Sequence, residues 1–179
     1  FIQWGFSQVF PSKTLCAHVT TWNKDASIKF RTDVAMMCKL GFDIKMSDLN
    51  PNEQVYCRQA VTEYNRLKPV ILEGDLYRLV SPYGSNHTSS MYVNKDKNQA
   101  IVFAFDVYPR YGEHILPVRL QGLEANKMYQ VKEINLMPGA SSSVNGNGQT
   151  FSGEYLMNVG LDLFTGYKLN SRIIEIIAQ

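Results

Sequence analysis

Near residue 74 the hydrophobic pattern of the chain changes period, and that change limits the folds open to it. Before it, apolar residues recur at helical spacing, and the helical stretches are separated by short runs rich in β-formers. After it, apolar and polar residues alternate in short runs broken by turn residues. Helix–strand alternation calls for parallel strands joined by crossovers. Successive period-two strands with tight turns call for antiparallel pairing. In a chain of 179 residues the two regimes fit only as unequal pieces, residues 1–73 and residues 74–179.

In the first piece, Phe1 to Val9 reads as the end of a helix stopped by Pro11 and Ser12. Leu15 to Trp22 is a compact run with β-branched Val19, Thr20 and Thr21 and reads as a strand. Ile28 to Cys38 has helical spacing, and Gly41 to Lys45 reads as a second strand. The best helix follows. Asn50 is a good N-cap, Pro51 suits the first helical position, and Glu53 completes a capping box. Val55, Ala60, Val61, Tyr64 and Leu67 form its apolar face, and Pro69 is expected to limit it. Two strands are too few for a stable parallel sheet, so this piece reads as the last quarter of a larger structure, a barrel remnant.

The second piece offers candidate strands at Asp75–Ser81, Ser89–Asn94, Gln99–Tyr108, His114–Gln121, Met128–Ile134 and Ser171–Ile177. Ile101, Phe103 and Phe105 alternate with Val102, Ala104 and Asp106, so one face of that strand is bulkier. Asn94 to Asn98 is a polar hairpin connection, and Ser141 to Gly148 a flexible loop. Many short strands of this kind predict an antiparallel β-sandwich. The fold class expected is therefore mixed: a truncated (β/α) barrel remnant followed by an antiparallel sandwich.

Charge narrows the functions. Lysine and arginine number 18 against 16 acidic residues, and the basic residues form no run or stripe, so nucleic acid is not an expected partner. No apolar stretch is long enough to span a bilayer, so no membrane is expected either. Cys16, Cys38 and Cys57 lack metal-type spacing and read as buried reduced thiols. Asn86-His87-Thr88 fits a glycosylation sequon. The chain opens on Phe1 instead of methionine, so its true N-terminus is expected to be missing or to have been removed.

Several stretches, taken in order, resemble glycoside hydrolase family 36 α-galactosidases. Ile2-Gln3-Trp4-Gly5 with Phe10-Pro11 is similar to the family's IQYG…YP segment, and Ala17-His18-Val19 to its AHVS strand. Arg31 with Val34-Ala35, then Leu40-Gly41-Phe42-Asp43, resembles R-x-x-VA…GxxGYELD. Gly74 to Leu79 with Ser81-Pro82 resembles GDLYRLLSP, the most specific match. Ser152 to Leu161 resembles SGxxLMxxGL, and Ser171-Arg172 the start of the final strand. Trp4, Met37-Cys38-Lys39 and Phe42-Asp43-Ile44 depart from the family pattern. The resemblance implies the last strands and helices of a (β/α)₈ barrel followed by a C-terminal β-sandwich. The implied parent is a retaining enzyme that removes terminal α-linked galactose from oligosaccharides without metal or organic cofactor.

Retaining glycosidases use two carboxylates about 5 Å apart. In the family these lie in a K-x-D motif and in an SDDTD-like motif shortly before IQYG, and neither motif occurs in this sequence. No catalytic residue is therefore assigned, no metal site is assigned, substrate-binding residues are unknown, and the chain alone is expected to be inactive. Asp33, Asp43 and Asp75 are candidate carboxylates by residue type only; a helix surface, a short strand and a boundary turn are their expected places. His18 reads as a hydrogen-bonded structural residue, and His87 and His114 as solvated. Thr21, Trp22, Asn23 and Lys45 would lie at the C-terminal ends of the barrel strands, where such sites form, with Trp22 packing at the rim. Tyr92, Phe103, Phe105 and Tyr108 read as core. A free-standing carbohydrate-binding β-sandwich is the alternative function. Uncovered edges of the barrel remnant would favour a homo-oligomer.

Overall fold

A computed structural model of the chain describes residues 1–22 and 25–179. It begins with a short helix, α1 (Ile2–Phe6), which buries Trp4, and a 3₁₀ turn over Ser12–Thr14. Strand β1 (Cys16–Thr20), helix α2 (Ile28–Ala35) and strand β2 (Lys39–Asp43) follow. The strands pair in parallel, from Cys16 opposite Lys39 to Thr20 opposite Asp43, as a helical crossover demands. Ser27 caps α2 by accepting from the Phe30 N–H at 3.1 Å.

Helix α3 (Pro51–Glu73) starts as its sequence requires. Asn50 Oδ1 accepts from the Glu53 N–H at 3.0 Å, and Glu53 Oε2 accepts from the Asn50 N–H at 3.0 Å. It does not stop at Pro69, which lies inside the helix. The proline is on the exposed face, while Leu67, Val70 and Ile71 on either side of it are buried. Packing of that last turn outweighs the one lost hydrogen bond.

After Gly74 every strand pairing is antiparallel. Strands β3 (Asp75–Val80), β4 (His87–Val93), β5 (Gln99–Asp106), β6 (Met128–Ile134), β7 (Thr150–Ser152) and β8 (Asn170–Ala178) form one sheet in the order β3-β4-β5-β8-β6-β7. The expected strand at His114–Gln121 is not formed; that stretch contributes a single bridge, Val118 to Leu161. The short strand β7 and helix α4 (Gly153–Asn158) were not legible as such, being too brief for a periodic signal. Among the described residues the strands do not divide between two facing sheets. The layer opposite α3 is made instead by irregular segments that supply Val118, Leu120, Leu123, Val144, Leu161 and Leu163.

The alternation in β5 sorts the core. Ile101, Phe103 and Phe105 face α3, where they meet Tyr64, Leu67, Val70 and Ile71. Ala100, Val102 and Ala104 face the irregular layer. Large side chains thus fill the gap beneath a helix, and small ones admit backbone passing close above. A third cluster, with Val19, Ile28, Ala35, Tyr56 and Ala60, joins β1, α2 and α3. Tyr92 ties the two halves: its hydroxyl donates to the Met37 carbonyl at 2.7 Å and lies 2.8 Å from Ser12 Oγ. Burial, only partly offset by the Ser12 contact, pushes its phenol up to about 12. No helix among the described residues is long and apolar enough to cross a membrane.

Candidate functional site

The C-terminal ends of β1 and β2 present Thr20, Thr21 and Trp22, and Asp43, Ile44 and Lys45. Asn23 lies outside the described residues. Two clefts open at this end, on either side of Arg31. One, of about 390 Å³, is walled by His18, Thr20, Trp22, Asp25 and Tyr108 among others. The other, of about 320 Å³, is walled by Thr21, Lys45, Asp48 and Glu53. Arg31 donates to the Thr20 carbonyl at 2.5 Å, and its buried Nε has no partner. The end of the parallel pair is therefore polar, holds a fixed guanidinium, and exposes an indole: Trp22 is 78% accessible and is not packed at a rim.

The three candidate carboxylates sit on three different elements and do not form a pair. Asp43 is exposed at the end of β2, and Asp75 opens β3, also exposed. Asp33 is fully buried, contrary to its expected place on a helix surface. Its Oδ1 accepts from Asn135 Nδ2 at 2.6 Å and from the Tyr56 hydroxyl at 3.3 Å. Its Oδ2 accepts from Lys29 Nζ at 2.5 Å and from the Ser171 hydroxyl at 2.7 Å. With every lone pair engaged, Asp33 is a structural hub and is not free to attack or to move protons. Burial, then the Asp33 charge, holds the Tyr56 phenol well above its ordinary value.

The remaining expected residues divide. Tyr92, Phe103 and Phe105 are buried as core, whereas Tyr108 is exposed and carries Lys168 Nζ 4.9 Å from its ring centre. Cys38 and Cys57 are buried free thiols, but Cys16 is exposed. His114 is exposed; His18 is also exposed and has no hydrogen bond among those formed by the described residues, lying instead over Gly41. His87 is not solvated. It is buried opposite Asp106, with Nδ1 2.6 Å from Asp106 Oδ1. That pairing was recoverable from sequence: counting outward from the hairpin closed by Asn94 and Gln99 brings His87 against Asp106. No group of three or more His, Cys, Asp or Glu side chains among the described residues is placed to hold a metal ion.

Two family models match the chain, one over the strand–helix–strand unit and one over most of the antiparallel sheet. The melibiase model matches residues 1–74, and the glycosyl hydrolase family 36 C-terminal domain model matches residues 87–176, half of the chain. The chain belongs to glycoside hydrolase family 36. It is 29% identical over 184 aligned positions to alpha-galactosidase 2 of Hypocrea jecorina, with 99% of this chain and 23% of that protein covered. It is 32% identical over 184 positions to the probable alpha-galactosidase C of Aspergillus flavus, with the same 99% and 23% covered. Its fold matches the crystal structure of the family 36 alpha-galactosidase AgaB from Geobacillus stearothermophilus with a TM-score of 0.84 at 27% identity, over 99% of this chain and 24% of that one. The chain thus spans about a quarter of the length of the relatives it matches.

Proposed function

We propose that this chain is the C-terminal part of a retaining α-galactosidase that removes terminal α-linked galactose from oligosaccharides. The observation that carries the reading is the colinear match of two family models, melibiase before residue 75 and the family 36 C-terminal domain after it, to relatives about four times as long. In this reading β1, α2 and β2 are the last units of a (β/α)₈ barrel, and the part from residue 74 onward is the C-terminal domain, a single antiparallel sheet covered by irregular segments. The parallel register of β1 and β2 and the crossover through α2 support that place.

The chemistry needs a nucleophile and an acid/base about 5 Å apart. Asp33 is spent in a buried network, and Asp43 and Asp75 stand apart, so the reading assigns the catalytic pair to residues outside this sequence and gives these residues a structural role. The purified chain, incubated with an aryl α-galactoside, is expected to show no turnover. Supplying in trans an upstream segment that carries K-x-D and SDDTD-like motifs is expected to restore it. Turnover by the chain alone at a rate comparable with a full-length relative would overturn the reading.

The same reading proposes self-association. Phe1, Ile2, Phe6, Val9 and Phe10 are exposed in and around α1, and β1 and β2 form a sheet of two strands. Sedimentation at rising concentration is expected to show a growing oligomer fraction; a clean monomer throughout would refute this part.

A further inference from the structure

We propose that His87 and Glu113 form a pH-sensitive latch that ties the loop 107–117 to the antiparallel sheet. His87 opens β4 and faces Asp106, the last residue of β5; both are buried. Nδ1 of the ring lies 2.6 Å from Asp106 Oδ1. Asp106 is itself immobilised, because its Oδ2 accepts from the Thr165 N–H at 2.9 Å and from the Thr165 hydroxyl at 2.8 Å. A carboxylate at Nδ1 keeps a proton on that nitrogen and fixes the ring orientation. Phe164 packs on the imidazole, with ring centres 4.7 Å apart. Nε2 is sealed from solvent and pairs at 3.6 Å with Glu113 Oε2.

The loop has little apolar attachment. No residue from 107 to 117 is buried, and Tyr108, Tyr111, Ile115 and Leu116 are exposed. Its hold on the sheet is polar and centres on Glu113. Asn86 Nδ2 donates to both carboxylate oxygens at 3.2 Å, and the Arg110 N–H donates to Oε2 at 3.0 Å across a turn in which Gly112 has φ 74°. The Arg110 N–H, and after it Asn86 and the His87 charge, hold the Glu113 carboxyl below its ordinary value against desolvation.

The proton on Nε2 sets the sign of the remaining contact. With both nitrogens protonated, an imidazolium lies between two carboxylates and attracts Glu113. With Nε2 bare, a lone pair faces Glu113 and the contact is repulsive. The latch is closed on the acid side of this ionisation, as long as Glu113 is ionised, and released on the alkaline side. Because Nε2 is sealed, its proton enters and leaves as the loop opens, which couples the two events.

No other charge takes over this role. The segment packed on the ring supplies Phe164 and Thr165, and β8 places the neutral Asn170 opposite Asp106. Arg172, further along β8, is engaged by Ser143 and the Leu163 carbonyl. His114 and Arg119 line the same cleft as His87 but are exposed, so solvent screens them. His114 to Pro117 form one side of that cleft, of about 830 Å³, and the latch therefore sets the mobility of its wall. The inference does not depend on where the hydrolytic carboxylates lie.

The test is nuclear magnetic resonance on the full 179-residue chain, stepped from about pH 5 to about pH 8. The ring nitrogens of His87 report its charge, and the Tyr111 and Gly112 amides report the loop. One midpoint is expected for both, with backbone order parameters of about 0.85 on its acid side and below about 0.6 on its alkaline side. Glu113→Gln, at a half-buried position, removes the charge. It is expected to move the His87 midpoint to lower pH and to make loop order the same on both sides of it. Loop order that does not follow the His87 ionisation, a His87 midpoint unmoved by Glu113→Gln, or a ring that keeps one charge state over the whole range would each overturn the latch.

Discussion

Asp33 Oδ1 and Asn135 Nδ2 meet at 2.6 Å although 102 positions separate them in sequence. The contact joins α2, on the strand–helix–strand side, to the residue that follows β6 in the antiparallel sheet. Asn135 reaches it from a left-handed backbone position, φ 55°, which asparagine adopts more readily than most residues. Tyr56 from α3 and Ser171 from β8 converge on the same carboxylate.

Asp33→Ala is therefore expected to cost about 3–5 kcal/mol, because it strands the Lys29 ammonium and three buried donors. Asp33→Asn is expected to cost less. Urea denaturation followed by circular dichroism gives both values. A double-mutant cycle with Asn135→Ala should show a coupling well above the roughly 0.3–0.5 kcal/mol scatter of independent sites. Additivity within that scatter would mean that the hub does not link the two halves.

Acid stability should depend on Glu175. Burial works to raise its pKa, but hydrogen bonds from Arg66 and Gln99 outweigh that and leave it below the ordinary carboxylate value. A lowered folded-state pKa contributes stability that is full above the unfolded value of about 4.3 and is lost as pH falls through the folded value. Wild-type stability should thus drop from about pH 4 downward. Glu175→Gln should flatten that part of the curve; an unchanged acid slope in the variant would refute the assignment.

Thiol reactivity should separate the three cysteines. Cys16 is exposed, whereas burial, followed by the nearby Cys16, pushes the Cys38 thiol up to about 11, and burial followed by Glu53 raises Cys57. An aromatic disulfide reagent near pH 8 should modify one thiol quickly in the native chain and all of them in denaturant. The fast thiol should vanish in Cys16→Ser. Fast reaction of two or more would contradict the burial of Cys38 and Cys57.

Gly41 faces His18 across the parallel pair, and a Cβ there would stand 2.4 Å from His18 Cδ2. Gly41→Ala should cost about 1–3 kcal/mol through this overlap. Since the obstacle is a side chain, adding His18→Ala should recover most of the loss in thermal melts. Failure of the second change to rescue the first would place the strain in the backbone instead.

Pro69→Ala should stabilise α3. It restores a helical N–H on an exposed face and removes the ring from the helix interior, a gain of about 3 kcal/mol in helix terms, reduced by about 1 for the freer unfolded chain. A melting temperature below that of the parent chain would show that the proline is needed where it stands.

Local rules fixed much of the fold. The Asn50–Glu53 capping box, the alternation of Ile101, Phe103 and Phe105, and the polar turn at Asn94–Asn98 each have a cause within a few residues, so their outcome was legible. The family resemblance was legible too, because it rests on ordered motifs. Other features depend on contacts between distant segments, which no local pattern encodes. Asp33 reads as a surface carboxylate until β8 and the residue after β6 close over it. Pro69 reads as a stop until the sheet packs against Val70 and Ile71. His87 reads as a solvated strand end until Phe164 and the loop bearing Glu113 cover it. Period and capping depend on neighbours along the chain, whereas burial and charge pairing depend on neighbours in space, and only the tertiary structure supplies those.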